Sequence, residues 1–222
     1  MPSSQVMRRP SGMGAEEIYE ILRRDIALGR LMPRQRLVES DLCERFGATN
    51  HNVRRAFDLL DRIGVIERKA NRGVEVRALS ARELQDLYDI RSMLQAEGVR
   101  RLDVDRLDEL ADRLTAINTT YEQALKEGQI EAAVDANDLF HTTQFDYCKN
   151  AELAALQLNY WLRASAIISR ALIEQGSSLK SLQDHWDIIA AMRARDMARL
   201  EELTVTHIRP PLAAYMRVYG LY

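Results

Sequence analysis

Residues 38–76 read VESDLCERFGATNHNVRRAFDLLDRIGVIERKANRGVEV, and the first third of the fold is decided here. Leu42 and Phe46 lie four apart and share one face of a short helix, which Gly47 stops. Thr49 can then cap a second helix. In it Val53, Ala56, Phe57 and Leu60 recur at helical spacing and turn inward, leaving Asn50, His51, Arg54, Arg55 and Asp58 outward near the helix N-terminus. Two β-prone runs follow, Val65 to Arg68 and Val74 to Val76, around the turn Asn71-Arg72-Gly73. Gly73 supplies a positive φ or a close backbone approach. A helix, a glycine turn, a helix with a polar face and a hairpin, in that order, are what place one helix in a DNA major groove with a wing beside it.

Upstream, Ile18, Ile21, Leu22 and Ile26 form one face of a helix near 15–29, ended by Gly29 and Pro33. Residues 1–13, rich in Ser, Pro and Gly, are expected to be a mobile arm. From Ser80 onward the periodicity is helical throughout, with helices near 80–101, 104–127, 129–148, 150–172, 178–194 and 196–218. Gly128, Asn150 and Gly176-Ser177-Ser178 read as the breaks. Leu84, Leu87 and Leu94, then Leu107, Leu110 and Leu114, make stripes suited to an antiparallel bundle. The expected fold is therefore mainly α: an arm (1–13), a winged helix-turn-helix with a two-stranded wing (14–78) and an all-helical domain (79–222). A chain of 222 residues, 46 % hydrophobic, is long enough to build both cores.

The net charge of −2 hides an asymmetry. Residues 1–78 hold 15 Lys+Arg and 11 Asp+Glu, or +4, whereas residues 79–222 hold 16 and 22, or −6. A polyanion partner suits the first part and not the second. Cys43 and Cys148 are too few for a disulfide framework; they read as core thiols in a reducing cytoplasm. The longest apolar run, LNYWLRASAIISRALI, is broken by Arg163 and Arg170, so no membrane span is expected, and no apolar segment follows Arg8 and Arg9 to suggest export.

From about Glu16 to His207 the chain resembles transcriptional regulators of the GntR family, FadR (FCD-domain) subfamily. The resemblance rests on IYEILRRDIALGRL, LVESDLCERFGA, VRRAFDLLDRIGVIERKANRGVEV, LYDIRSMLQ, NDLFH, DHWDIIAAMRARD and a late THI, in that order. It implies a cytoplasmic homodimer that reads an inverted-repeat operator in double-stranded DNA, more often as a repressor, under the control of a small carboxylate effector. The DNA-contacting positions it implies are Asn50, His51, Asn52 and Arg54 in the second helix, with Arg72 and Gly73 at the wing tip. Arg54 is the family's arginine and can pair bidentately with guanine. Asn50, His51 and Asn52 depart from the usual Arg-Thr-Pro, and because Asn prefers the adenine edge the operator should differ at the positions they touch. His51 reads equally as a phosphate contact, and Arg72 as a solvated hairpin tip.

The chain has four histidines, and His141, His185 and His207 fall on three separate predicted helices. The resemblance implies that they, with Asn137 where the family more often has Asp, hold a divalent transition metal. Residues four apart on a helix point the same way, so Asn137 and His141 can grip one ion, and imidazoles from facing helices add to the shell. Three imidazoles favour Zn²⁺ or Ni²⁺ over Mn²⁺. Asp138 points about 100° away and is the poorer donor. Arg91 matches a family arginine able to face the effector pocket, and Arg163 is a second candidate; either reads also as a surface ion-pair partner. Gln95 stands where the family commonly has Glu. Two other readings stay open: the same DNA-binding role with a metal-free pocket, and a metal-dependent hydrolase, which would lack an identifiable general base and leave the winged helix unexplained.

Overall fold

The computed structural model describes residues 12–69, 73–173 and 175–221, which form two compact units divided between Ala78 and Leu79. Arg72 and Asn71 of the wing turn, and residues 1–11 of the expected arm, lie outside the described residues.

The first unit contains α1 (Ala15–Ala27), β1 (Arg36–Leu37), α2 (Glu39–Phe46), α3 (Asn50–Arg62), β2 (Ile66–Lys69) and β3 (Gly73–Val76). Gly47 closes α2 in the left-handed region at φ 58°, and the Ala48 N–H returns to the Cys43 carbonyl at 3.0 Å. Thr49 caps α3, its Oγ1 accepting the Asn52 N–H at 3.3 Å. Val53, Ala56, Phe57 and Leu60 are fully buried, and α3 packs against α1, which buries Ile18, Leu22 and Ile26. The wing has one strand more than expected. Arg36 and Leu37 pair antiparallel with Glu75 and Val74, giving a three-stranded sheet in the order β1-β3-β2. A two-residue strand is too short to leave a period-two signature. Removing the cap by Thr49→Ala should cost this unit about 1 kcal/mol, a drop of about 4–8 °C in its melting temperature by circular dichroism.

The second unit is helical: α4 (Ala81–Arg100), a 3-10 turn (Val104–Arg106), α5 (Leu107–Lys126), α6 (Ile130–Asp146), α7 (Ala151–Arg163), α8 (Ser165–Leu172), α9 (Gln175–Arg193), α10 (Met197–His207) and α11 (Arg209–Tyr219). Ser80 and Glu83 form a capping box at the start of α4. Helix α5 packs on α6 and α9, α10 on α4 and α9, and α11 on α8, around a core that includes Leu107, Leu110, Leu114, Phe140, Ile188 and Leu200.

Three expected boundaries are corrected. The predicted 150–172 helix divides at Ala164, whose N–H reaches the Trp161 carbonyl three residues back. Trp161, Ala164, Ile167 and Ile168 are buried on both sides of the bend, so the apolar pattern runs through it unbroken. Gly176, Ser177 and Ser178 lie inside α9 instead of before it. The predicted 196–218 helix divides at Ile208, because Pro210 and Pro211 have no N–H for the preceding turn and start α11 instead. Cys43 and Cys148 are free and half-buried, not core thiols.

Candidate nucleic-acid interface and metal centre

The capped start of α3 presents Asn50, His51 and Arg54 to solvent, with Asn52 half-buried. Each has a local partner or an open face. Asn50 Oδ1 accepts from the Cys43 thiol at 3.2 Å, and Arg54 Nε donates to Glu39 Oε2 at 2.8 Å. Arg55 pairs with Glu16 at 3.1 Å. Exposed pairs of this kind are worth about 0–1 kcal/mol, so a phosphate or a guanine edge can displace the acid. Asn52 is committed differently: its Nδ2 donates to the Met13 carbonyl at 3.0 Å, while the Met13 N–H reaches the Phe46 carbonyl at 3.4 Å. The segment before α1 is thereby fastened beside the start of α3. Gly73 has φ 82°, and a side chain there would begin 3.7 Å from the Arg36 guanidinium.

In the second unit α6, α9 and α10 bring three imidazoles together. His141, His185 and His207 are buried, and one ring nitrogen from each lies within 4.8 Å of the others. His207 Nε2 is 3.2 Å from His141 Nε2. Two donors on one tetrahedral ion, each about 2.0–2.1 Å away, stand at about that separation. Two of the far nitrogens are held: His185 Nδ1 meets Asn118 Oδ1 at 2.9 Å, and His207 Nδ1 meets Asp184 Oδ2 at 3.2 Å. An oxygen on Nδ1 keeps the proton there and leaves Nε2 as a lone pair, the arrangement around metal-bound histidines. His185 Nε2 has no hydrogen-bond partner although it is buried. Burial, and then the neighbouring His207, holds the His141 and His185 imidazoles well below their usual pKa, in the neutral form a metal requires. The rings are braced by stacking, Phe140 on His185 at 3.8 Å and Trp161 on His141 at 4.2 Å. The residues present therefore fit a transition-metal ion.

Asn137 is buried one helical turn before His141, and its Nδ2 has no partner. Asp138 faces away, where its Oδ1 accepts from Trp161 Nε1 at 3.1 Å. Arg91 is buried with Nη1 unpartnered, its guanidinium stacked over Tyr88 and Trp161. Arg91, Asn137, His141 and His207 all line one cavity of about 250 Å³. Arg163 does not line it; this side chain lies over the Tyr160 ring at 4.8 Å. Gln95 is buried and accepts from Gln157 at 3.4 Å, a neutral contact close to where α4 and α7 approach at Gly98.

Sequence reading missed Asp184, Asn118 and Trp161. Asp184 stands next to His185 in the chain yet serves His207 on another helix, so no spacing rule could find it. Burial raises its carboxyl pKa, but hydrogen bonds from His207 and Lys180 outweigh this and leave it below the usual range.

Residues 14–76 match the bacterial regulatory proteins of the gntR family, and residues 86–210 match the FCD domain. The HTH-type transcriptional regulator YdhC of Bacillus subtilis is 27 % identical over 144 residues, a stretch covering 63 % of this chain and 63 % of that protein. The HTH-type transcriptional repressor RspR of Escherichia coli is 26 % identical over 196 residues, covering 87 % and 85 %. Among solved structures, E. coli McbR/YncC shares the fold with a TM-score of 0.80 at 20 % identity, over 92 % of this chain and 98 % of that one.

Proposed function

The chain belongs to the GntR family of bacterial regulatory proteins and carries an FCD domain; from that premise we propose that it is a repressor whose operator affinity is set by a small organic acid bound beside a metal ion in the second unit. It is a transcription regulator and not an enzyme, as are the relatives it matches. The observation that carries this reading is the set of three buried imidazoles from three helices, two with their Nδ1 atoms fixed by oxygens, of which His141 and His207 line a cavity that holds unpartnered donors.

His141, His185 and His207, with the Asn137 amide oxygen, would hold the ion; Zn²⁺ is favoured, with Ni²⁺ or Mn²⁺ as the other occupants to test. When bound, it supplies positive charge that attracts an anion. Around it this chain's own groups do the rest. Asn118 and Asp184 orient imidazoles, Trp161 and Phe140 exclude water from two of the rings, and Arg91 offers a buried cation to a carboxylate. The orphaned His185 Nε2 argues against a metal-free pocket, in which a buried lone pair would go unsatisfied.

On DNA, two copies related by a two-fold axis would read an inverted repeat with the exposed start of α3. Asn50, His51 and Arg54, exposed at the start of α3, would meet base edges or phosphates, Arg72 and Gly73 would add contacts from the wing, and Asn52 would contribute chiefly by holding Met13. An effector favouring one arrangement of the bundle shifts operator affinity by about 1–3 kcal/mol. Selection of bound duplexes from a random pool tests the reading, and recovery of no common half-site would sink it. On the selected operator, Arg54→Ala should weaken binding by about 1–3 kcal/mol in a gel-shift titration, with metal content unchanged.

A further inference from the structure

We propose that the cavity takes a monocarboxylate with a compact apolar body, in preference to dicarboxylates and polyhydroxy acids; this rests on the reading of the second unit as an effector domain. Two buried donors without acceptors, Arg91 Nη1 and Asn137 Nδ2, line the same cavity. A buried donor left unsatisfied is costly, and one carboxylate brings enough lone pairs for both. Arg91 lies over the Trp161 ring, which stacks on His141, and Asn137 precedes His141 by one helical turn.

Among the described residues of the wall, no second pair of unpartnered buried donors faces the cavity. Lys180 is the other cation on the wall, and Asp184 already pairs with it. Among the described residues, Arg91 is the cation lining this cavity that pairs with no carboxylate. The α8 and α11 walls are hydrocarbon, Ile168 and Leu172 from one and Pro210 and Pro211 from the other, whereas Ser177, Lys180, Ser181 and Asp184 make the α9 wall polar. Hydroxyl groups laid against these side chains would lose water without replacement, whereas each buried CH₂ multiplies affinity by about four. Size sets the upper bound. A benzene ring fills a cavity of about 150 Å³, so about 250 Å³ accommodates a ring plus a carboxylate arm.

The test is calorimetric titration of the full-length, Zn²⁺-loaded protein with four probes: phenylacetate, phenylacetamide, succinate and gluconate. Phenylacetate should bind at least about tenfold more tightly than each of the other three, and Leu172→Gln should remove about tenfold of its affinity while leaving gluconate unaffected. Should phenylacetamide equal phenylacetate, the anionic head is wrong. Succinate or gluconate binding more tightly overturns the apolar body while leaving an acid effector in place. If none of the four binds although the metal is present, both this inference and the acid-effector reading fall. The ranking of probes on the unaltered protein stands even where the variant does not fold.

Discussion

His141→Ala should purify with almost no metal, falling from about one ion per chain to under about one in ten by elemental analysis of untagged protein. Loss of an outer hydrogen-bond partner of a ligand already costs about 10–100-fold in affinity, and this substitution removes a donor nitrogen. The same variant should no longer gain thermal stability from added Zn²⁺, while the unaltered protein gains it and loses it again in chelator. The change also deletes the ring on which Trp161 stacks, so a fall in stability alone would not separate ligation from packing. Asn118→Ala does separate them. It leaves every donor atom in place and frees only His185 Nδ1, yet it should reduce Zn²⁺ affinity by about 10–100-fold. Equal metal content in the unaltered protein and His141→Ala would end the assignment.

Phe57→Ala should abolish the first unit's fold near body temperature. The ring is fully buried with Val53 and Leu60 against α1, and its removal costs about 3–5 kcal/mol. A whole domain is stabilised by only about 5–15 kcal/mol, so the melting temperature of this unit should fall by about 15–30 °C. Operator binding should vanish with it. Because the two units have separate cores, Zn²⁺ binding by the second should survive, and two calorimetric transitions should become one at physiological temperature. Loss of metal together with DNA binding would mean that the units do not fold independently.

What could be read from sequence divides along physical lines. Leu42, Phe46, Gly47, Thr49 and the α3 stripe were legible because local rules govern them: helical period, a left-handed stop and a side-chain cap. The bends at Ala164 and Ile208 were not legible from periodicity, which registers burial and ignores the direction of the axis; only the two prolines gave a usable sign. The candidate metal residues were reached by resemblance, and the structure places His141, His185 and His207 together with Asn137 one turn away. The oxygens that hold the far nitrogens of His185 and His207 come from α5 and α9 through tertiary packing, which leaves no spacing in the chain. Arg163 shows the converse: it stands as the second candidate for the effector pocket, and its side chain lies instead over the neighbouring Tyr160 ring.

The join at Ile208 has an evolutionary corollary. His207 is the last residue of one helix, and within four positions Pro210 and Pro211 are already part of the cavity wall. Substitutions along that join alter one surface at a time, but a single inserted or deleted residue rotates the following helix by about 100° and withdraws both prolines together. Drift can therefore rewrite the lettering of this segment, and with it ligand preference, far more freely than it can change the segment's length.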